Sequence, residues 1–157
     1  MHRDEFQMRL ALYQARKAAQ SNEVPIGALI FDPSSGEIKS VAANAPILTN
    51  DPCAHAEILA IRQAGKEIGN YRLNNLWLYV TLEPCAMCAG AIAHARLSRL
   101  IYGASDPKGG AVENGPRIFD QATINHRPEI TRGILAEECS QILKSFFKDK
   151  RIIKNPG

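Results

Sequence analysis

Two short segments, His55-Ala56-Glu57 and Pro84-Cys85-Ala86-Met87-Cys88, constrain this chain more than anything else in it. Cys85 follows Glu57 by 28 residues, so a fold that uses both segments must bring distant stretches of chain together. Cysteines three apart lie on one face of a helix, and Pro84 suits a helix start, so both sulfurs can reach one ion. The positive end of the helix dipole favours the thiolate that binds metal. His55 can supply a third ligand from the start of a neighbouring helix. Two thiolates and one imidazole suit Zn2+ better than an oxygen-seeking cation. Three protein ligands leave the fourth tetrahedral position for water, which marks a catalytic rather than a structural zinc. Glu57, two residues past His55, then stands beside the metal on another azimuth of the same turn. From there it can take a proton from the water and pass it to a leaving group.

The pieces taken singly are less specific. A C-x-x-C pair alone is equally a redox couple or half of a structural zinc knuckle. Cys53 offers a rival inside the sequence, a closed Cys53/His55/Cys85/Cys88 tetrahedron with no open position. Its closeness to His55 makes simultaneous ligation awkward, and Glu57 would then have no role. Cys139, in an apolar helical stripe, reads as a small core residue. No apolar stretch follows the charged Met1-His2-Arg3-Asp4-Glu5, so a cytoplasmic protein with unpaired thiols is expected. His2 is expected to be disordered.

At 157 residues the chain has the length of one domain, taken as 1–157, and can bury a real core. It has no run of 18 apolar residues, so a membrane span is excluded. Helical spacing from about Glu5 to Ser21 places Phe6, Leu10, Tyr13, Ala11, Ala15 and Ala18 against a sheet. Pro25 to Phe31 and Glu37 to Ala43 read as an antiparallel hairpin joined by Asp32-Pro33-Ser34-Ser35-Gly36. A helix follows from about His55 to Ile68, a strand from Leu76 to Leu82, and a helix from Pro84 to about Leu97. Arg99 to Ala104 is a further strand, Asp106 to Gly115 a glycine-rich loop, and Ile134 to Ile153 a long final helix. Strands alternating with helices imply a layered α/β sheet.

Charge is uneven. Within a net +3, residues 144–154 carry +4 through Lys144, Lys148, Lys150, Arg151 and Lys154 against Asp149. A basic terminal helix, at about 134–154, suits a polyanionic partner; taken alone, the charge run reads first as a solvated helix face. Leu135, Cys139, Ile142 and Phe146 fall on one stripe that should face the core, and Phe147 lies about 100° off it. An aromatic among cations can stack a base while the cations hold phosphates, or it can be an edge-of-core residue.

The pattern H-x-E followed by P-C-x-x-C is that of the zinc deaminases. The chain resembles the bacterial tRNA-specific adenosine deaminases of the cytidine-deaminase-like superfamily. The resemblance runs through Glu23-Val24-Pro25-Ile26-Gly27-Ala28, Asn44, Asp51-Pro52, Asn70-Tyr71-Arg72-Leu73, Leu78 to Cys85, Met87 to Ala91, Tyr102-Gly103-Ala104, Asp106, Asn125-His126-Arg127, Glu129-Ile130-Thr131 and Phe146-Phe147. It implies a three-layer α/β/α fold around a mixed five-stranded sheet, and one zinc per subunit on His55, Cys85 and Cys88. It further implies conversion of adenosine to inosine at the wobble position (position 34) of a tRNA anticodon, with water activated at the zinc attacking C6 and Glu57 as proton shuttle. Asn44 would bond the purine edge, and backbone near Ala56 and Pro84 would orient the reacting centre. Val24, Asp106, Phe147, Lys150 and Arg151 would meet the substrate. The anticodon stem-loop as partner and a homodimer are implied in the same way. A base in an open loop leaves its stack at less cost than one in a duplex.

Departures from that resemblance cluster around the substrate: Val41-Ala42-Ala43, Ala45, Cys53 and the loop from Gly109 to Phe119. Two rival functions follow. A deaminase of free guanine or cytosine would not need the basic terminal helix. A non-catalytic zinc protein that binds RNA would not need Glu57. His94 reads as a packed or capped helix histidine; for His126, RNA contact and local hydrogen bonding are equally open. Asp106 before Pro107 is also good turn chemistry.

Overall fold

The computed structural model describes residues 2–154, with side chains described as far as Arg151; Lys154 of the basic cluster lies outside those side chains. Helix α1 (Arg3–Gln20) is capped by His2, whose Nδ1 accepts from Asp4 N at 3.3 Å, so His2 is placed rather than disordered. Asp4 and Glu5 fill the first turn, where the dipole favours acids. Its buried stripe is Met8, Ala11, Leu12, Ala15 and Ala18, while Phe6 and Tyr13 point outward at 53% and 56% exposure. The reason is contact distance. A Cβ added at Gly27 would lie 2.0 Å from Ala11 O, so the helix must rest on its alanine face and the larger Phe6 and Tyr13 turn away.

Strands β1 (Gly27–Asp32) and β2 (Glu37–Ala43) form the expected hairpin, with Asp32 Oδ1 accepting from Ser34 N and Gly36 at φ +77°. After them come α2 (Pro46–Thr49), α3 (Ala56–Ile68), β3 (Trp77–Leu82), α4 (Ala86–Ala95) and β4 (Arg99–Ala104). A 3-10 turn at Ile118–Asp120, strand β5 (Glu129–Arg132) and helix α5 (Ala136–Lys154) complete the order. The sheet runs β2-β1-β3-β4-β5, with β1 antiparallel to both neighbours and β3, β4 and β5 parallel. It is the mixed five-stranded sheet that the resemblance implied.

Strand alternation builds the two outer layers. Ala28, Ile30, Leu78, Val80, Leu100 and Tyr102 pack with Ala56, Ala60 and Ala64 of α3 and Ala89, Ile92 and Ala93 of α4. Leu29, Phe31, Tyr79 and Ile101 pack on the other face with Met8, Ala11 and Leu12 of α1 and Cys139 of α5. On that face Arg99 bolts α1 to the sheet: its guanidinium donates to Asp4 at 3.0 and 2.7 Å and sits 4.5 Å over Trp77. The α3 and α4 layer carries the metal-type residues. Both helices begin at the same end of the sheet, that of the C-terminal ends of β3 and β4, where open α/β sheets bind ligands.

Candidate active site

His55 is the N-cap of α3 and Cys85 the N-cap of α4, both with extended backbone, so each side chain swings past its helix end. Cys88 follows one turn into α4 and is fully buried. Nδ1 of His55 lies 3.6 Å from Sγ of Cys85 and 3.6 Å from Sγ of Cys88, and the three ligand atoms all lie within 4.8 Å of one another. A tetrahedral zinc with bonds of ~2.3 Å to sulfur and ~2.0 Å to nitrogen needs N···S separations of ~3.5 Å. The donor set and its spacing therefore fit zinc. Cys53, the rival fourth ligand, is exposed and stands outside this group.

The Glu57 carboxyl adjoins all three of these residues and is 4% exposed. Burial pushes its pKa up to about 7, near the value at which a group both takes and gives protons in neutral water. The hydrogen bond with Cys85 raises the pKa of His55. Cys85 is held down to about 4, first by the Cys88 thiol and then by His55, and Cys88 is pushed up by sharing its proton with Cys85 and by burial.

A cavity of about 820 Å³ opens in front of this group, within the size range of small-molecule sites. His55 forms part of its wall, and Val24, Asn44, Asp106 and Phe147 line it too, drawn from four separate parts of the chain. Ile26, Leu82 and Leu143 give it apolar surface, and Lys108 and Lys144 give it cations. Asn44 is 6% exposed, and its Oδ1 is buried with no hydrogen-bond partner. Such an orphan costs ~1–3 kcal/mol unless a ligand donor meets it. Phe147 is 44% exposed and packs edge-on to half-buried Phe146 at 5.4 Å.

The remaining candidates divide. Ala56 begins α3, so its N–H has no intrahelical acceptor. Pro84 is buried, and its carbonyl already accepts from Ala111 N at 2.9 Å, leaving one lone pair. Arg151 shares a second cavity of about 480 Å³ with Phe147, Lys144 and Lys108. Lys150 is not brought there: its amine donates to Asn22 at 2.5 Å and lies over Phe146, in a groove between α1 and α5. Asp106 both lines the pocket and makes its turn, accepting from Lys108 N and Gly109 N. His126 Nε2 donates to Leu97 O at 2.6 Å, while His94 is exposed rather than packed.

Lys108, Lys144, Pro46 and Glu83 escaped the sequence reading as site-building residues. Lys144 lies one turn before Phe147, so helical spacing alone could have paired them. Nothing local marks Lys108 or Pro46. Glu83 is 2% exposed between β3 and Pro84; burial would raise its carboxyl, and the N–H donors of Asp106, Val112 and Asn114 outweigh that and hold it low.

Comparison with known proteins agrees with this geometry. The family described as MafB19-like deaminase matches residues 2–151. The tRNA-specific adenosine deaminase of Haemophilus influenzae is 51% identical over 148 residues, 94% of this chain and 85% of that one. That of Agrobacterium fabrum is 50% identical over 146 residues, 92% of this chain and 94% of that one. A structure solved in work on A-to-I editing by tRNA:A34 deaminases at the wobble position of transfer RNA superposes with a TM-score of 0.85 at 48% identity, covering 88% of this chain and 99% of that one. With the H-x-E and C-x-x-C segments brought together on two converging helices, and with the family match running over nearly the whole length, the chain belongs to the MafB19-like deaminases and is similar throughout to tRNA-specific adenosine deaminases.

Proposed function

We propose that this chain hydrolyses the exocyclic amine of adenosine at the wobble position of a tRNA anticodon, giving inosine and ammonia. The observation that carries the reading is the buried Glu57 carboxyl set against His55, Cys85 and Cys88 beside a pocket whose Asn44 oxygen lacks a partner. His55, Cys85 and Cys88 hold one zinc per subunit. When bound, zinc supplies Lewis-acid chemistry that makes water nucleophilic near neutral pH. Glu57 takes one proton of the attacking water and delivers it to N1 as C6 becomes tetrahedral; it then takes the remaining proton from the C6 hydroxyl and passes it to the amine, so that C6 becomes a carbonyl and ammonia leaves. A carboxyl that titrates near neutrality suits both halves of that transfer.

Asn44 meets the purine edge, its Oδ1 accepting the donor it lacks in the free protein. The Ala56 N–H and the free lone pair of the Pro84 carbonyl orient the reacting centre, and Val24 packs on the base. Phe147 stacks a neighbouring base, while Asp106 and Arg151, with Lys144 and Lys108, address the RNA backbone. Lys150, turned toward Asn22, adds to the positive field of α5 rather than to the pocket. The chain works as one catalytic domain and as a homodimer in the cytoplasm; no helix among the described residues is long and apolar enough to cross a membrane.

The test is inosine formation in an anticodon stem-loop RNA with A at the wobble position, with free adenosine, guanine and cytidine alongside. Wild type forms inosine in the RNA and Glu57→Ala does not. Ammonia from a free base with no inosine in RNA would replace this reading with a free-base deaminase. RNA binding without turnover on any substrate would replace it with a zinc-stabilised RNA-binding protein.

A further inference from the structure

Glu83 is one of the most buried charged residues of the chain, yet it neither lines the pocket nor belongs to the metal group. Its carboxylate is the centre of a loop. Oε1 accepts from Asp106 N at 2.9 Å and from Asn114 Nδ2 at 2.7 Å, and Oε2 accepts from the backbone N–H groups of Val112, Glu113 and Asn114 at 3.0, 3.0 and 3.1 Å. The loop wraps so closely that a Cβ added at Gly110 would lie 2.4 Å from Cδ of Glu83. Only glycine fits there.

The two halves of this loop are anchored differently. Ala111 and Val112 are buried, and Val112 joins the core beneath α4. Ser105 to Gly109, which line the pocket, are exposed apart from half-buried Asp106. What ties the exposed half to the buried half is the carboxylate, which receives Asp106 N on one oxygen and the 112–114 amides on the other. The same residue sits two positions before Cys85, and its backbone N–H donates to Ala104 O at 2.8 Å. One side chain thus fixes the substrate wall relative to the metal helix.

We infer that Glu83 is a positioning residue for the substrate: its carboxylate clamps the Ser105–Asn114 loop and so sets the wall that the pocket presents to RNA. The inference rests on the deaminase reading above and extends it to a residue that touches neither substrate nor metal. An isosteric amide cannot do the same work, because its NH2 would face N–H donors on one side or the other.

The test compares wild type and Glu83→Gln, both zinc-loaded, by three readouts: zinc per chain, amide hydrogen exchange across residues 106–114, and kcat and KM on the anticodon stem-loop RNA. Zinc content is expected to be unchanged, loop exchange to accelerate at least ~10-fold, and KM to rise ~10-fold while kcat moves less than ~3-fold. Unchanged loop exchange would overturn the clamp, and faster exchange with unchanged KM would overturn its role in positioning substrate. Loss of zinc with a matching fall in kcat would also overturn it, placing Glu83 in the metal centre. Should Glu83→Gln fail to fold, Asn114→Ala removes one clamp donor away from the Pro84-Cys85 segment. It is expected to raise KM ~3-fold with zinc intact, and an unchanged KM would count against the clamp. If wild type makes no inosine at all, the function reading fails while the exchange measurement still decides the clamp.

Discussion

The metal cradle and the substrate wall face each other across one pocket and are built in opposite ways. The cradle takes three ligand atoms and one carboxyl from two helix N-termini, all buried or half-buried and within a few ångströms of one another. The wall takes Val24, Asn44, Asp106, Lys108, Lys144 and Phe147 from separate elements, and several of these are exposed. Chemistry that must hold a metal and move a proton tolerates little displacement, so it sits on rigid helix ends with local spacing. Recognition of a flexible RNA loop needs reach and charge, which loops and an exposed helix face supply. The contrast predicts that damage to the cradle removes the reaction, whereas damage to the wall weakens substrate binding.

The largest effect expected is that of Cys88→Ala. It deletes a buried ligand, and metal analysis should find less than one zinc per chain, with deamination falling at least ~1000-fold. Retained zinc and turnover would break the distinction. Phe147→Ala is expected to leave zinc in place and raise KM for the stem-loop ~5- to 100-fold, the range for a lost base–aromatic stack. An equal fall in kcat with KM unchanged would move Phe147 from the wall to the reacting centre.

A finer test separates two adjacent cations. Arg151→Ala should weaken RNA binding ~2- to 5-fold at low salt and flatten its salt dependence by about one phosphate contact. Lys150→Ala, whose amine is turned to Asn22, should change binding less than Arg151→Ala does. Reversal of that order would mean that the terminal helix presents a different face to RNA.

The smallest expected effect lies on the far face of the sheet and concerns stability alone. Burial would raise the Asp4 carboxyl, but hydrogen bonds from Arg99 and Tyr79 outweigh it and hold the pKa below the usual aspartate value. A folded-state pKa below the unfolded one gives stability that is full above the unfolded value and is lost as pH falls through the folded one. Thermal melts from pH 7 downward should therefore show wild type losing its advantage over Asp4→Asn below about pH 4. A constant gap between the two at all pH values would contradict that linkage.

The same contrast explains what the sequence made legible. Helical spacing revealed α1 and α5, Pro84 marked the start of α4, apolar and β-favouring runs bounded by turn signals revealed the β1–β2 hairpin and β3, and the H-x-E and C-x-x-C spacings picked out the cradle, because each signal is local. β5 escaped the pass along the chain because Glu129, Ile130, Thr131 and Arg132 form an exposed edge strand with no apolar face. α2 is a four-residue helix whose Ile47 and Leu48 N–H groups are accepted by the buried Glu23 carboxylate 24 and 25 residues earlier. No window of sequence contains both partners. Periodicity alone turns Phe6 and Tyr13 inward, whereas the close approach of α1 to Gly27 selects the alanine face. Glu83 and Lys108 became visible only once the loop was seen folded around the carboxylate.

The proposed deamination turns on Glu57 acting as a proton carrier and not as a structural carboxyl. Single-turnover inosine formation on a stem-loop RNA, measured for Glu57→Gln with zinc content determined in the same sample, tests this most directly. The expected result is wild-type zinc with a rate reduced ~100- to 10,000-fold, the range for loss of a general acid–base group. A zinc-loaded Glu57→Gln enzyme that turns over at the wild-type rate would contradict it.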